Sequence, residues 1–421
     1  MSPTFRSLRN PNYRLYAAGG LVSNTGTWMQ RVAQDWLVLQ LTANSGAALG
    51  ITTGLQFLPF LLLGPFSGLI ADRVPKQRLL QLTNLGMAVP AAVLGVLAVT
   101  GSAQIWHVYV LAFVLGVAAA FDAPARQSFV SEIVDTDDLT NAVGLNSASF
   151  NAARLVGPGV AGVLIAAFGG GAVATGWVIL FNAVSYAAPI LTLRGMDASR
   201  LDSPALTHRG PGAIREGFAY VRARPDLLLI LGVVFSAGTF GLNFQMTSAL
   251  MATEIFDKGP REYGLLGSFL AVGSLTGALL AARREQVRQR LVIISGLVFG
   301  ALVTISGLMP SYLTFALLTP LIGISALTLI TSANAYMQLH TEANVRGRVM
   351  ALYMMIFMGG TPVGAPVVGW IGEAFGARWT LILGGLLTIA GITLASLLFA
   401  RARGVTFAQL HPQASAQETS V

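Results

Sequence analysis

Apolar runs of about the 20 residues that carry a helix across a bilayer recur twelve times along this 421-residue chain. They fall at 14–41, 48–71, 77–99, 105–128, 138–168 and 172–193, then at 226–252, 262–282, 290–308, 312–338, 346–373 and 378–400. The longer runs are either tilted or continue beyond the lipid. Only 10% of the residues are charged and 54% are hydrophobic. Ordinary soluble domains carry about 25% charged residues, so a soluble fold would have to expose a large apolar excess to water. The sequence therefore predicts an all-α integral membrane protein with twelve transmembrane helices. With no cysteine, it has neither a disulfide framework nor a cysteine metal site.

The net charge of +8 admits nucleic acid as a partner, but the placement of the charges argues against it. Counting loops alternately from the N-terminus, 21 of the 26 lysines and arginines fall on one side. They include Arg6, Arg9 and Arg14 before the first run, Arg73, Lys76 and Arg78 after the second, Arg283 to Arg290 after the eighth, and Arg401 and Arg403 after the last. The opposite side has only Lys258, Arg261 and Arg378. By the positive-inside rule both termini are expected to be cytoplasmic. The polar, basic start MSPTFRSLRNPNYR has no apolar run ending in a small-residue cleavage site, so no removable signal peptide is expected.

One long polar segment, 194–225, divides the chain into an N-terminal six-helix bundle (1–193) and a C-terminal one (226–400), followed by a polar tail (401–421). The halves resemble each other. Gly144, Gly157, Gly162, Phe168 and Gly169 recur 207 positions later as Ala351, Gly364, Gly369, Phe375 and Gly376. Gly64 and Gly68 recur as Gly273 and Gly277, and GTW at 26–28 as GTF at 238–240. Six helices per half start both halves on the same side, so the repeat is parallel, about an axis along the membrane normal.

The first run holds charges that an anchor does not need. Arg31 and Asp35 are four apart and share one helical face, with Gln30 and Gln34 repeating the step beside them. A charge at membrane depth costs roughly 2.5 kcal/mol or more, and such residues face an interior cavity or a partner. Counted from the basic side, Arg154 in the fifth run lies at about the depth of Arg31, with Asp35 about one turn, ~6 Å, further out. A carboxylate that pairs and unpairs with two guanidiniums is able to exchange a proton; a permanent salt bridge is the structural alternative. Asn243 and Gln245 in the seventh run are expected to add cavity wall, as are Met350, Met354, Met355 and Met358 in the eleventh, where helix packing is the other use.

Two stretches carry a family resemblance. GPFSGLIADRVPKQRLL at 64–80 resembles the signature Gly-x-x-x-Asp-Arg-x-Gly-Arg-Lys of the major facilitator superfamily: Gly68, Asp72, Arg73 and Lys76 match, while Pro75 replaces a glycine and Gln77 a base. The resemblance implies a cytoplasmic gate in which the aspartate meets the N-terminus of span 11. Asp122 and Arg126 on span 4 either complete the gate or, four apart, satisfy only each other. Ala281 stands where a second-half copy of Asp72 is expected, so the gate is one-sided. Gly144, Ala153, Gly157, Pro158 and Gly162 resemble the superfamily's antiporter signature, with alanine at two glycine positions. The same stretch contains a literal G-x-G-x-x-G, but it lies inside an apolar span and not between a strand and a helix, which rejects a dinucleotide site.

The N-terminal half is similar to the bacterial branch of enterobactin-exporter-like and macrolide-efflux-like carriers. That resemblance implies the major facilitator fold, two pseudo-symmetric six-helix bundles, and proton-driven export of a small molecule such as a drug, siderophore or metabolite. Partners are then the substrate, protons and the lipid bilayer, the protein acting as a monomer without cofactor, metal or nucleic acid. Alternatives of the same fold are an uptake carrier or facilitator, and a lipid-handling or receptor protein. An enzyme finds no support: there is no P-loop, HExxH or GxSxG, and the four histidines are scattered at 107, 208, 340 and 411.

Overall fold

The computed structural model describes residues 3–202, 213–282, 288–342 and 345–403, and these are helical almost throughout. Part of the central linker, most of the tail, and Arg283 and Arg284 lie outside the described residues, as does the side chain of Asp72. Twelve long helical segments can be followed. The first six are α1 (Pro11–Leu41), α2 (Gly46–Arg73), α3 (Lys76–Val99), α4 (Ile105–Ile133), α5 (Thr136–Ala167) and α6 (Ala172–Arg194). The second six are α7 (Pro225–Ile255), α8 (Pro260–Ala282), α9 (Gln289–Gly307), α10 (Tyr312–Leu339), α11 (Arg346–Phe375) and α12 (Ala377–Arg403). A short helix, Ala213–Arg222, precedes α7.

Among the described residues, 11 helices are long and apolar enough to cross a membrane. The exception is α1. At 31 residues its length suffices, but Arg14, Gln30, Arg31, Gln34 and Asp35 dilute its apolar character. The expectation of twelve spans is thus met in composition by eleven; α1 is polar because it is wrapped by other helices, with Val32 to Leu39 all buried.

Local chemistry sets the helix ends. The Asn10 side chain accepts hydrogen bonds from the backbone N–H groups of Asn12 (2.9 Å) and Tyr13 (3.2 Å), with Pro11 in the first turn. Ser45 caps α2 by accepting from the Ala48 N–H at 3.1 Å. Val74 and Pro75 are extended and separate α2 from α3. Pro75, standing where the superfamily signature has glycine, therefore occupies a turn position that tolerates it.

The two halves repeat one packing scheme. In the first, α1 packs on α5, α2 on α4, and α3 on α6; in the second, α7 packs on α11, α8 on α10, and α9 on α12. Between halves the main contacts are α2 with α11 and α5 with α8. α7 departs from regularity: its helix is interrupted by π-turns at Ala237–Gly241 and Met251–Ile255, flanking a short helix Phe244–Leu250. Such irregular turns inside membrane helices occur where backbone lines a cavity or site.

Both seams between the halves close at the end away from the chain termini and part toward the termini. On α2, Gly46, Gly50, Gly54, Gly64 and Gly68 lie near one face. A Cβ at Gly50 would press on the Ala365 carbonyl and come within 3.1 Å of the Gly369 Cα, and one at Gly54 within 3.0 Å of Pro366. At Gly64 and Gly68 it would meet nothing within 4 Å. α5 behaves alike: a Cβ at Gly162 would lie 3.1 Å from the Gly264 Cα, whereas one at Gly144, five turns earlier on the same face, meets open space.

Candidate functional site

Where α1, α5, α7, α8 and α10 converge there is a cavity of about 160 Å³. From α1, Trp28, Arg31 and Val32 face it, at the three- and four-residue spacings that share a helix face. α5 adds Arg154 and Pro158, α7 adds Gln245 and Ser248, and α8 adds Tyr263. Much of the remaining wall is apolar, including Phe244, Leu266, Phe299 and Ile322.

The two guanidiniums share one aromatic platform. The Arg31 Cζ lies 4.6 Å from the Trp28 ring centroid and the Arg154 Cζ 5.4 Å from the same ring. Phe57 of α2 stands 5.7 Å from the Arg31 Cζ. Electrostatic attraction between a cation and the ring face stabilises such contacts by about 0.5–2 kcal/mol, more where water is excluded.

Asp35 lies beyond the cavity wall, toward the closed end. Its Oδ2 accepts hydrogen bonds from the Tyr263 hydroxyl at 2.6 Å and from Gln245 Nε2 at 2.8 Å. Both donors belong to the other half of the chain. The Trp36 ring stacks on Tyr263 with centroids 6.5 Å apart, and its Nε1 donates to the Gly170 carbonyl at 2.9 Å. Among the described residues, Asp35 makes no ion pair with either arginine. The anticipated carboxylate–guanidinium cluster is thus replaced by a neutral-donor clasp that joins α1 to α7 and α8.

Of the other anticipated wall residues, only Gln245 reaches the cavity. Gln30 accepts from Asn182 Nδ2 of α6. Gln34 donates to Gln56 Oε1 of α2 at 3.0 Å. Each is one residue before its charged neighbour, which turns it about 100° around the helix toward a neighbouring helix of its own half. Asn243 donates back to the Thr239 carbonyl at 2.8 Å inside the interrupted stretch of α7. The α11 methionines do not line the cavity, and Met350 and Met355 pack against the core.

A sequence-family model described as transmembrane secretion effector matches residues 2–420. The chain belongs to that family. It is 29% identical to the multidrug efflux pump Tap of Mycolicibacterium fortuitum over 380 residues, covering 87% of this chain and 90% of the relative. It is 24% identical to macrolide efflux protein A of Streptococcus pyogenes (85% and 89% covered) and 24% identical to the staphyloferrin A transporter of Staphylococcus aureus (86% and 90%). Its fold matches a bacterial homologue of the human lysosomal transporter Spinster in an inward-facing, unoccupied conformation, with TM-score 0.67, 16% identity and 95% and 98% of the two chains covered. It also matches a bacterial homologue of the iron transporter ferroportin in an inward-facing state, with TM-score 0.69, 15% identity and 93% and 98% covered. The chain therefore has the major facilitator fold and is a multi-pass membrane transporter, not an enzyme.

The residues anticipated as a cytoplasmic gate lie at the end nearest the termini. Arg126 Nε donates to Asp122 Oδ2 at 2.8 Å, and Asp122 Oδ1 accepts from Thr83 at 2.8 Å and Asn84 at 3.4 Å. The pair is therefore satisfied within the first half. Lys76 bonds Glu132 at the end of α4, a partner that the linear motif gives no hint of. Arg73 is exposed, and Gly68 faces open space. The α5 motif packs in two directions: a Cβ at Gly157 would lie 2.7 Å from the Trp28 Cβ on α1, and Gly162 meets α8. Ala153 is buried, and a Cβ at Gly144 would meet nothing within 4 Å.

Sequence reasoning missed Tyr263, Trp28 and Glu373. Glu373, near the end of α11, accepts from the Ser45 hydroxyl at 2.6 Å and the Ala47 N–H at 3.1 Å, closing the far end of the α2–α11 seam. Its signal is an acid in the otherwise apolar run GWIGEAFG, and that of Tyr263 is an aromatic hydroxyl in the first turn of a span.

Proposed function

We propose that this transporter exports a small molecule from the bacterial cytoplasm by alternating access, driven by proton antiport at Asp35. The observation that carries the reading is the clasp: one carboxylate, just outward of the cavity, accepts from Tyr263 and Gln245 of the opposite half. A carboxylate is costlier to bury than its neutral acid, so a proton taken up from outside lets Asp35 enter the closed clasp, and its loss to the cytoplasm lets the clasp reopen once substrate is bound. A proton moving inward is thereby exchanged for a substrate moving outward, as an antiporter requires. The names of the relatives, efflux pumps and a siderophore transporter, support drugs or siderophores as the cargo class.

In this reading residues 1–193 and 226–400 rock about the cavity, 194–225 joins them on the cytoplasmic side, and 401–421 is a cytoplasmic tail. The lysine and arginine asymmetry supports both termini being cytoplasmic, in the inner membrane. α1 counts as the twelfth span, its charges covered by its neighbours. The open end of both seams then faces the cytoplasm, and the molecule works as a monomer. Everted vesicles test the proposal: ethidium and 1-naphthoate are screened as cationic and aromatic anionic probes, and addition of whichever is transported should release protons from an acidified lumen, while Asp35→Asn should abolish that release with the protein still folded. Flux of the transported probe in Asp35→Asn at the unmutated rate, with undiminished proton movement, refutes it. Flux that ignores the proton gradient in the unmutated protein favours a facilitator instead.

A further inference from the structure

We infer that the substrate is an organic anion, held by its acidic head between Arg31 and Arg154 with an apolar or aromatic body against the far wall. The inference rests on the exporter reading above and names the substrate class of the same cavity. Both guanidiniums lie over the face of one indole ring, with Cζ distances of 4.6 and 5.4 Å to its centroid. Both also line the same cavity, so an anion inside it is attracted by two guanidiniums. Among the described residues neither arginine makes an ion pair or a hydrogen bond, and no aspartate or glutamate lines the cavity. Among the described residues the acid that acts through space on Arg31 is Asp35, whose carboxylate is engaged by Tyr263 and Gln245. Two cations facing a cavity at membrane depth are costly without a counter-charge. Among the described residues the cavity thus has charged donors for an anion and no charged acceptor for a cation. A planar fork of N–H donors suits a carboxylate or a similar oxyanion.

The remaining wall selects the body. Phe244, Leu266, Leu270, Phe299, Ile322 and Ile330 offer no charge. The volume, about 160 Å³, is close to that of an engineered apolar cavity of ~150 Å³ that takes up benzene. One ring fits inside, and a longer body extends toward the open end of the seams. Trp28 stabilises both cations through its ring without occupying their hydrogen bonds.

The test uses the purified full-length protein in nanodiscs and a matched pair of probes, 1-naphthoate and 1-naphthylmethylammonium, which share a body and differ in the sign of the head. Calorimetric titration should show naphthoate binding at least tenfold more tightly. Arg31→Gln and Arg154→Gln should each weaken naphthoate about tenfold, while Arg31→Lys and Arg154→Lys retain part of the affinity. Equal or tighter binding of the ammonium probe overturns the inference, as does unchanged naphthoate affinity in both glutamine variants when they elute as folded protein. If a glutamine variant does not fold, the preference of the unmutated protein between the two probes decides. Ethidium export that depends on Asp35 but not on either arginine removes the anion site and leaves the exporter standing. Naphthoate binding without any proton-linked flux removes the exporter and leaves an anion-binding protein.

Discussion

Substituting Gly369 by alanine should push the transporter out of the conformation described here. The α2–α11 seam is backbone against backbone at this point: the added Cβ would press on the Gly46 carbonyl oxygen and lie 3.1 Å from its carbon and 3.0 Å from the Gly50 Cα. No side chain can rotate away, so the helices must separate. Overpacking of this kind costs about 1–3 kcal/mol. The cost applies only while the far end is closed, and a bias of about 1–3 kcal/mol corresponds to a shift of about 5- to 150-fold in a two-state population. The chain has no cysteine, so Ser248→Cys, in the cavity wall, provides a single reporter. In right-side-out vesicles, labelling by a membrane-impermeant maleimide should rise about fivefold or more when Gly369→Ala is added. Gly68→Ala, whose Cβ meets nothing within 4 Å, is the matched control and should leave labelling unchanged. If folded Gly369→Ala labels no faster than Gly68→Ala, close packing of this seam does not hold the closure.

Other substitutions probe separate contacts. Glu373→Gln removes a charge from the N-terminus of α2 and weakens its bonds to Ser45 and Ala47; a loss of about 0.5–1.5 kcal/mol should raise outside labelling of the same reporter several-fold, less than Gly369→Ala. Asp122→Asn strands the partly buried Arg126 and should destabilise the protein by about 2–3 kcal/mol in a detergent melt. Adding Arg126→Gln should restore most of that, and a double variant as weak as the sum of the singles would show that the two side chains act independently. Tyr263→Phe removes one of the two bonds to Asp35 without removing the ring stacked on Trp36. It should shift the pH dependence of transport while leaving thermal stability nearly unchanged, and an unaltered pH profile would take Tyr263 out of proton coupling.

How much of this was legible in the chain differs from element to element. The Arg31–Asp35 step was visible because spacing along a helix is local, and its depth followed from counting residues. Its neighbours Gln30 and Gln34 have the same spacing, yet they serve helix packing, because 100° of rotation points them at α6 and α2. The gate motif revealed Lys76 but not Glu132, which is 56 residues away. Pro75 looked like a departure from a required turn and proved to stand outside both helices.

The sequence by itself determined that the protein lives in a membrane, that its basic loops share one side, that its halves repeat, and that some charges must be shielded from lipid. Those properties depend on run length, composition and period, each readable within a few turns of helix. The tertiary structure decided what the charges do. Asp35 meets Gln245 and Tyr263 from 210 and 228 residues away, and Arg31 and Arg154 each contact the same indole ring. Which faces touch depends on how two six-helix units lean on each other. A periodic pattern identifies a face but carries no information about the helix that will cover it.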